Sequence, residues 1–280
     1  QPPGQGDASS RTLTDDLGRH VRIEGVPQRI VSLAPSLTEA LFAIGADSLV
    51  AGVTSVCNYP PRIRVLPVVG DLLTPDIERI LALKPDLVLI SVEGNTHATF
   101  EKLKRVGMRL FVSNPRDIDG VCASLRDLGR ITGREAAAGH FVDSVRAIES
   151  RLRSTLPSDA PSLLFIIGTQ PIMAAGGGTF MNEVIELAGA KNAAAGVAGN
   201  YPTINREEVL RMNPGMLIFP DDMHLGMRDL VARFPEWERI DAVRLGRLHP
   251  VDADIFLRPG PRIFLAAERM RALVTGAGEQ

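Results

Sequence analysis

The sequence predicts an α/β protein of two similar lobes, each a mostly parallel sheet covered by helices, with one long helix carrying the chain between them. Three observations predict it. Short apolar runs alternate with amphipathic stretches, the pattern of strands joined by crossover helices. A helix–Pro–strand segment recurs in the two halves. Between the halves, apolar residues keep helical spacing over about six turns.

The elements follow in order. Residues 1–11 begin QPPGQGDASS and hold no apolar side chain larger than alanine and proline, so a flexible leader is expected there. A secretory signal would need a basic start and an apolar stretch, so any such signal is expected to have been removed. The first lobe is expected over 12–133. Arg29-Ile-Val-Ser-Leu-Ala34 reads as a buried strand, Pro35 breaks it, and Ser36-Leu-Thr-Glu39 reads as a capping box opening a helix that reaches Gly45. Further strands are expected at 49–53, 86–90 and 109–113, with helices near 75–83 and 96–106.

The linking helix is expected over 134–157. Phe141, Val145, Ile148, Leu152 and Leu156 fall at spacings of four, three, four and four, after a capping box at Thr132-Gly-Arg-Glu135 and before a stop at Pro157. That is one helix of about 23 residues, about 35 Å long, enough to bridge two lobes. The second lobe, 158–280, resumes the alternation with strands at 162–168, 216–219 and 248–251 and a last helix at 262–274.

The halves echo each other twice. Glu78-Arg-Ile-Leu-Ala-Leu-Lys-Pro-Asp-Leu-Val-Leu-Ile90 aligns without a gap on Glu207-Glu-Val-Leu-Arg-Met-Asn-Pro-Gly-Met-Leu-Ile-Phe219, so that Glu78, Leu81 and Pro85 meet Glu207, Leu210 and Pro214. Residues 39–46 echo 183–190, both ending in Gly-Ala. One echo between helix–strand units would be weak; two in the same order favour a duplicated lobe.

Composition excludes several function classes. With 45% hydrophobic and 23% charged residues in 280, the chain is neither disordered nor a coiled coil. A net charge of −2 provides no general attraction to nucleic acid, so no nucleic-acid partner is expected. No apolar run approaches the roughly 18–20 residues of a membrane span. Cys57 and Cys122 permit one disulfide at most, and whether they meet is open. Phosphate-loop, zinc-protease, nucleophile-elbow and C-x-x-C signatures are missing. Gly176-Gly-Gly178 lacks dinucleotide spacing, because Met181 stands where the third glycine belongs; these glycines read as a tight turn approaching a ligand or the opposite lobe. His20, His97, His140, His224 and His249 are scattered without ligand spacing, so neither a metal site nor a catalytic residue is expected.

Ligands of open parallel sheets settle beyond the carboxyl ends of the strands, and two facing sheets would share one groove. The loops expected to line it are 34–36, 56–59, 71–74, 92–95, 170–178, 200–202 and 254–261. They carry Tyr59, Leu72, Met173, Tyr201, Asp254 and Arg258, apolar walls with few polar anchors that suit a large, partly apolar molecule. Cys57 reads as a small buried residue, with a reactive thiol as the alternative.

Arg29-Ile-Val-Ser-Leu-Ala-Pro-Ser-Leu-Thr-Glu39, Asn58-Tyr-Pro-Pro61, Leu83-Lys-Pro-Asp-Leu-Val88 and Arg258-Pro-Gly-Pro-Arg262 together resemble the helical-backbone (class III) solute-binding proteins of ABC importers, which handle cobalamin, ferric siderophores and haem. The likeness runs from about residue 12 to about 274 and is greatest to the cobalamin-handling members. The resemblance implies two Rossmann-like lobes on one backbone helix and a shallow cleft with little hinge motion. It implies a non-catalytic carrier without a cofactor, exported to the periplasm or beyond, with a lipid anchor left open. The carrier would work as a monomer that delivers a small molecule to a membrane permease dimer with its ATPase.

By position, Glu78 and Glu207 match the two glutamates, one per lobe, that contact permease arginines in that family; the competing reading is helix-dipole complementation worth about 0.3–1 kcal/mol each. Asp254 and Arg258 match polar ligand positions, against a plain i, i+4 ion pair worth about 0.3–0.5 kcal/mol. Tyr201 stands at a family tryptophan, whereas Val56, Leu72 and Met173 replace aromatic residues, which weakens stacking. The ligand the resemblance implies is a cobalt corrinoid contacted by Ser36, Val56, Cys57, Asn58, Tyr59 and Leu72 on one side, and by Met173, Tyr201, Asp254 and Arg258 on the other. Cobalamin brings its own lower axial base and needs no protein metal ligand. Haem or a ferric siderophore is the alternative: the first requires an axial tyrosine or histidine, and the second more basic groups than Arg258. From another class, a tetrapyrrole- or chelate-processing enzyme would use Cys57 or Asp254, but no base–nucleophile constellation supports it.

Overall fold

Leu13, Val21 and Ile23 are buried while their neighbours are largely exposed, the period-two signature of half-buried strands, and they open the fold as a hairpin. In this computed structural model, which describes residues 10–157, 159–223 and 227–276, β1 (Ser10–Thr14) pairs antiparallel with β2 (His20–Glu24). Residues 1–9 of the expected leader lie outside the described residues. Ser10 and Arg11 do not belong to a leader: they start β1, and the Arg11 guanidinium donates to the carbonyls of Gly25 (3.0 Å) and Ile131 (3.2 Å).

The chain divides into two compact units, the first comprising residues up to Pro115 with Asp119–Ser144, the second Arg116–Ile118 with everything from Val145. After the hairpin, the first unit runs β3 (Ile30–Ser32), α1 (Pro35–Ala43), β4 (Val50–Val53), α2 (Ile77–Ala82), β5 (Leu87–Ser91), α3 (His97–Arg105), β6 (Leu110–Ser113), α4 (Ile118–Thr132) and the first half of α5 (Glu135–Ser154). Its sheet has the order β4-β3-β5-β6 with every pair parallel, Val31 opposite Val88 and Val88 opposite Leu110. Runs such as Leu87-Val-Leu-Ile90 are buried throughout, as sheets covered on both faces require. Ile80 of α2 and Leu103 of α3 pack onto one face with Val31, Val88 and Val112.

The second unit takes the rest of α5 and continues with β7 (Ser162–Thr169), β8 (Ile172–Ala174), α6 (Phe180–Leu187), β9 (Lys191–Asn192), α7 (Arg206–Met212), β10 (Met216–Pro220), α8 (Met227–Arg233), α9 (Asp241–Arg244), β11 (Leu248–Val251), α10 (Ala253–Phe256) and α11 (Ile263–Thr275). Its strand order is β11-β10-β7-β8, and β9 pairs with the first residues of β7. Among the described strands of this sheet only β8 runs antiparallel, folding back on the carboxyl half of β7. Phe234 and Trp237 stack at 4.2 Å within a core that includes Leu164, Leu217 and Phe219.

The internal echo extends to individual turns. Asp76 and Asn205 cap α2 and α7, accepting the N–H of Arg79 (3.1 Å) and Glu208 (2.8 Å). Both helices then reach a residue of positive φ directly before the proline, Lys84 at +46° and Asn213 at +42°; among the described residues no other non-glycine has positive φ. In the second echo Gly45 and Gly189 both have positive φ, and the next residue bonds back five positions along each helix, Ala46 to Leu41 (2.8 Å) and Ala190 to Ile185 (3.1 Å). Asn213 suits its conformation and holds Asp241 by two 3.0 Å hydrogen bonds, whereas lysine carries the Cβ penalty of the left-handed region. Lys84→Asn is therefore expected to raise stability by about 0.5–1 kcal/mol, read as a higher urea midpoint at unchanged slope.

Neither expected capping box forms. α1 starts at Pro35, whose missing N–H is no loss in a first turn, and Ala34 has no capping side chain; Thr38 donates within the helix to the Ala34 carbonyl (3.0 Å). Thr132 is the last residue of α4, and its hydroxyl donates back to Leu128 (2.7 Å). Gly133, at φ +66°, then separates α4 from α5. α5 has 20 residues, about 30 Å, and stops at Ser154 rather than 156, where Arg271 takes the carbonyls of Leu152 (2.9 Å) and Thr155 (2.7 Å).

The 116–118 segment is tied to the second unit by Glu183 of α6, whose carboxylate accepts the Ile118 N–H at 2.7 Å and the Arg153 guanidinium at 2.9 Å. Burial pushes the Glu183 carboxyl above its ordinary pKa, against the pull of those two donors.

Candidate functional site

In the first unit, the loops beyond the carboxyl ends of the strands fall into inward and outward groups. Ser36, in the first turn of α1, is buried. Cys57 is buried too, its N–H bonded to the Thr54 carbonyl (3.0 Å) and its Sγ 3.3 Å from the hydroxyls of both Thr38 and Thr54. That packing makes it a small interior residue. Val56, Asn58 and Tyr59, on either side of it, are exposed.

Leu72 is half-buried on a loop that Asp71 folds. The Asp71 carboxylate accepts the N–H of Leu73 (2.8 Å) and Thr74 (2.6 Å) and the Thr74 hydroxyl (2.7 Å), and the bonds from Thr74 hold its pKa below the usual range. Asn95 positions this loop, and sequence reasoning gave it no such role. Its Nδ2 donates to the carbonyls of Leu33 (3.1 Å) and Leu72 (2.8 Å), and its Oδ1 accepts the Ser91 N–H (3.0 Å). One buried amide thus joins the loops after β3 and β5 to the one carrying Leu72. Asparagine in Gly94-Asn95-Thr96 looks like an ordinary turn former, and partners 62 and 23 positions away leave no local signal.

In the second unit the structure brings Met173 and Tyr201 to one sheet edge. Residues 200–204 run beside β8: Ala174 donates to Pro202 (3.1 Å), Gly176 to Asn200 (2.8 Å) and Ile204 to Ile172 (2.9 Å). The close approach of Gly176-Gly-Gly178 is to this same neighbourhood. A Cβ would come within 2.5 Å of Gly199 O, Ala195 O and Asn200 Oδ1 at the three positions in turn. The glycines therefore allow close packing within their own unit.

Asp254 and Arg258 meet as an i, i+4 ion pair at α10, with the guanidinium mostly covered and the carboxylate more open. Asp252 caps this short helix through the Ile255 N–H (3.2 Å), Asp221 accepts the Ala253 N–H (3.1 Å), and Arg262 donates to the Asp254 carbonyl (2.9 Å). The pair thus stands on a braced turn. Glu78 and Glu207 occupy the second position of α2 and α7 and are exposed.

Cys57 and Cys122 are both buried and are not joined in a disulfide. Among the described residues no cluster of histidine, cysteine and carboxylate side chains could hold a metal, and no helix is long and apolar enough to cross a membrane. His224 lies outside the described residues.

Comparison with known proteins places this geometry in context. The periplasmic binding protein family matches residues 30–254. The ABC transporter substrate-binding lipoprotein YvrC of Bacillus subtilis is 31% identical, over 92% of this chain and 83% of its own. The vitamin B12-binding protein of Pectobacterium carotovorum is 32% identical over 89% of each. Among solved structures, the periplasmic haem-binding protein RhuT from Roseiflexus sp. RS-1 superposes with a TM-score of 0.80 at 26% identity, covering 89% of this chain and 98% of that one.

Proposed function

The chain belongs to the periplasmic binding protein family, and from that premise we propose that it captures a corrinoid related to cobalamin and delivers it to an ABC importer. Proteins of this kind are solute carriers for transport, not enzymes. The proposed contacts are Val56, Asn58, Tyr59 and Leu72 from the first unit and Met173, Tyr201, Asp254 and Arg258 from the second, with Ser36 and Cys57 supporting the first loops from within.

The observation that carries the ligand choice is the i, i+4 pairing of Asp254 with Arg258, whose guanidinium is mostly covered. A paired carboxylate and guanidinium present no net charge, so they suit a bulky neutral ligand rimmed with amides, which donate to the one and accept from the other. Carboxylates of haem or an anionic siderophore would meet Asp254 as a like charge while competing for Arg258. The RhuT likeness keeps haem as the second reading, with Tyr59 as its exposed axial candidate.

Titration with cyanocobalamin, haemin and a ferric siderophore, followed by absorbance and calorimetry, tests this. Saturable binding of the corrinoid is expected, weakened about 10- to 100-fold by Arg258→Ala through loss of a covered charge-assisted donor. Saturation by haemin alone, with a spectral shift lost in Tyr59→Phe, would reassign the ligand.

Delivery requires a surface for the importer. The matched, exposed glutamates of α2 and α7 are proposed to meet equivalent basic groups of a two-fold permease, one from each unit.

A further inference from the structure

The two matched helices have different surroundings. On α2, Glu78 and Leu81 lie one turn apart, and Leu81 is 37% exposed. The segment next to that helix carries Val68, 45% exposed, and Val65, 87% exposed. It is tied to α2 by Asp76, whose N–H donates to Val69 (2.8 Å), and by Arg79, whose guanidinium donates to the Val68 carbonyl (3.4 Å). On α7 the matching Leu210 packs against the core instead, and the neighbouring 3-10 helix Pro235–Arg239 buries Trp237 and brings Glu236 to Arg206 (3.6 Å). Both acids have charged neighbours on their own helix, Asp76 paired with Arg79 (3.2 Å) on α2 and Glu208 with Arg211 (3.7 Å) on α7, but α2 and the segment tied to it also carry the exposed aliphatic side chains of Val65, Val68 and Leu81.

Single exposed aliphatics are ordinary, but a cluster bordering a charged anchor has the composition of a docking patch: an apolar centre that gains by burial and a charge that sets partner and register. We propose that Val65, Val68 and Leu81 join Glu78 in one docking surface for the importer's permease, fitted to a site where an arginine or lysine is bordered by aliphatic residues. The inference rests on the reading of the chain as an importer's carrier. It adds that the first unit contributes apolar contact that the second unit's equivalent helix lacks.

The test is Val65→Ser with Val68→Ser in the full chain, measured against the permease–ATPase complex of its own importer in lipid nanodiscs. Both positions are at the surface, so melting temperature and cyanocobalamin affinity are expected to stay as in the parent protein. Dissociation from the importer is expected to rise about tenfold, the scale of losing two valines from a buried patch. Unchanged importer binding, in a preparation where Glu78→Arg does weaken it, would overturn the apolar surface and leave the docking reading in place. Unchanged binding in Glu78→Arg and Glu207→Arg as well would remove the docking reading and this inference together. Self-association in sedimentation, or binding to anionic vesicles, lost in the serine variant while importer binding is kept, would assign the patch to another occupant and also overturn it.

Discussion

Arg271→Met is expected to lower the unfolding free energy of the second unit by about 3 kcal/mol, a melting decrease of roughly 6–12 °C. Arg271 of α11 makes no ion pair among the described contacts; it serves helix ends. Its Nε donates to Ala188 (2.8 Å) and its Nη2 to Leu187, the closing carbonyls of α6. The same Nη2 reaches Leu152 (2.9 Å), and Nη1 reaches the carbonyl (2.7 Å) and hydroxyl (3.2 Å) of Thr155, at the end of α5. One cation thus satisfies orphan carbonyls at two helix C-termini, where the negative dipole ends also favour positive charge. Desolvation lowers the Arg271 pKa from its usual value, the cost that these acceptors offset. Methionine keeps the stem and removes every donor. Arg271→Lys is expected to recover less than half the loss, because three donors on a point cannot reproduce a planar fork. Urea unfolding followed by circular dichroism measures both; a loss under 1 kcal/mol for methionine would show that water replaces the guanidinium.

Reversing both exposed acids, Glu78→Arg with Glu207→Arg, is expected to cut ligand uptake and importer association at least tenfold while leaving ligand affinity within a factor of two. Each single reversal should cost part of this, because each acid faces its own basic group on a two-fold partner. Association of the parent protein should also weaken as salt rises, since exposed charges are screened beyond about 8 Å at physiological ionic strength. The helix-dipole reading predicts another outcome: a small stability loss from basic side chains in a first turn, with transport unchanged. Measuring uptake, importer affinity and melting on the same variants separates the two. A parallel loss of ligand affinity would mean that these helices border the ligand rather than the importer.

The strands and the duplicated helix–Pro–strand units were legible because they rest on short-range signals: continuous apolar runs such as 87–90 and the prolines at 85 and 214. Helix starts were less so. Ser36 and Thr132 are good caps by type, yet Pro35 fixes the first turn one residue earlier and Thr132 finds an acceptor in its own helix. The β1–β2 hairpin, in which Leu13, Val21 and Ile23 alternate about a turn closed by Gly18, is hard to read from sequence because its first strand has five residues and follows a polar stretch. In the candidate site, loop positions could be read from strand ends, but not which side chains turn inward. Cys57 is interior because of hydroxyls at 38 and 54, Leu72 is held by an amide at 95, and Tyr201 joins Met173 through an unassigned segment beside β8. Such contacts depend on distant parts of the chain and leave no periodicity to find.

The small segment Arg116–Ile118 has a practical corollary for protein engineering. Because those three residues belong with the later unit while the stretches on both sides of them belong with the earlier one, no single cut of the gene yields two complete halves. A fragment expressed from Val145 onward would leave Glu183 without the Ile118 amide, and a fragment ending at Ser144 would carry three residues whose partners had been deleted. Split-reporter or domain-exchange designs on this scaffold would therefore have to transplant a tripeptide along with the later piece.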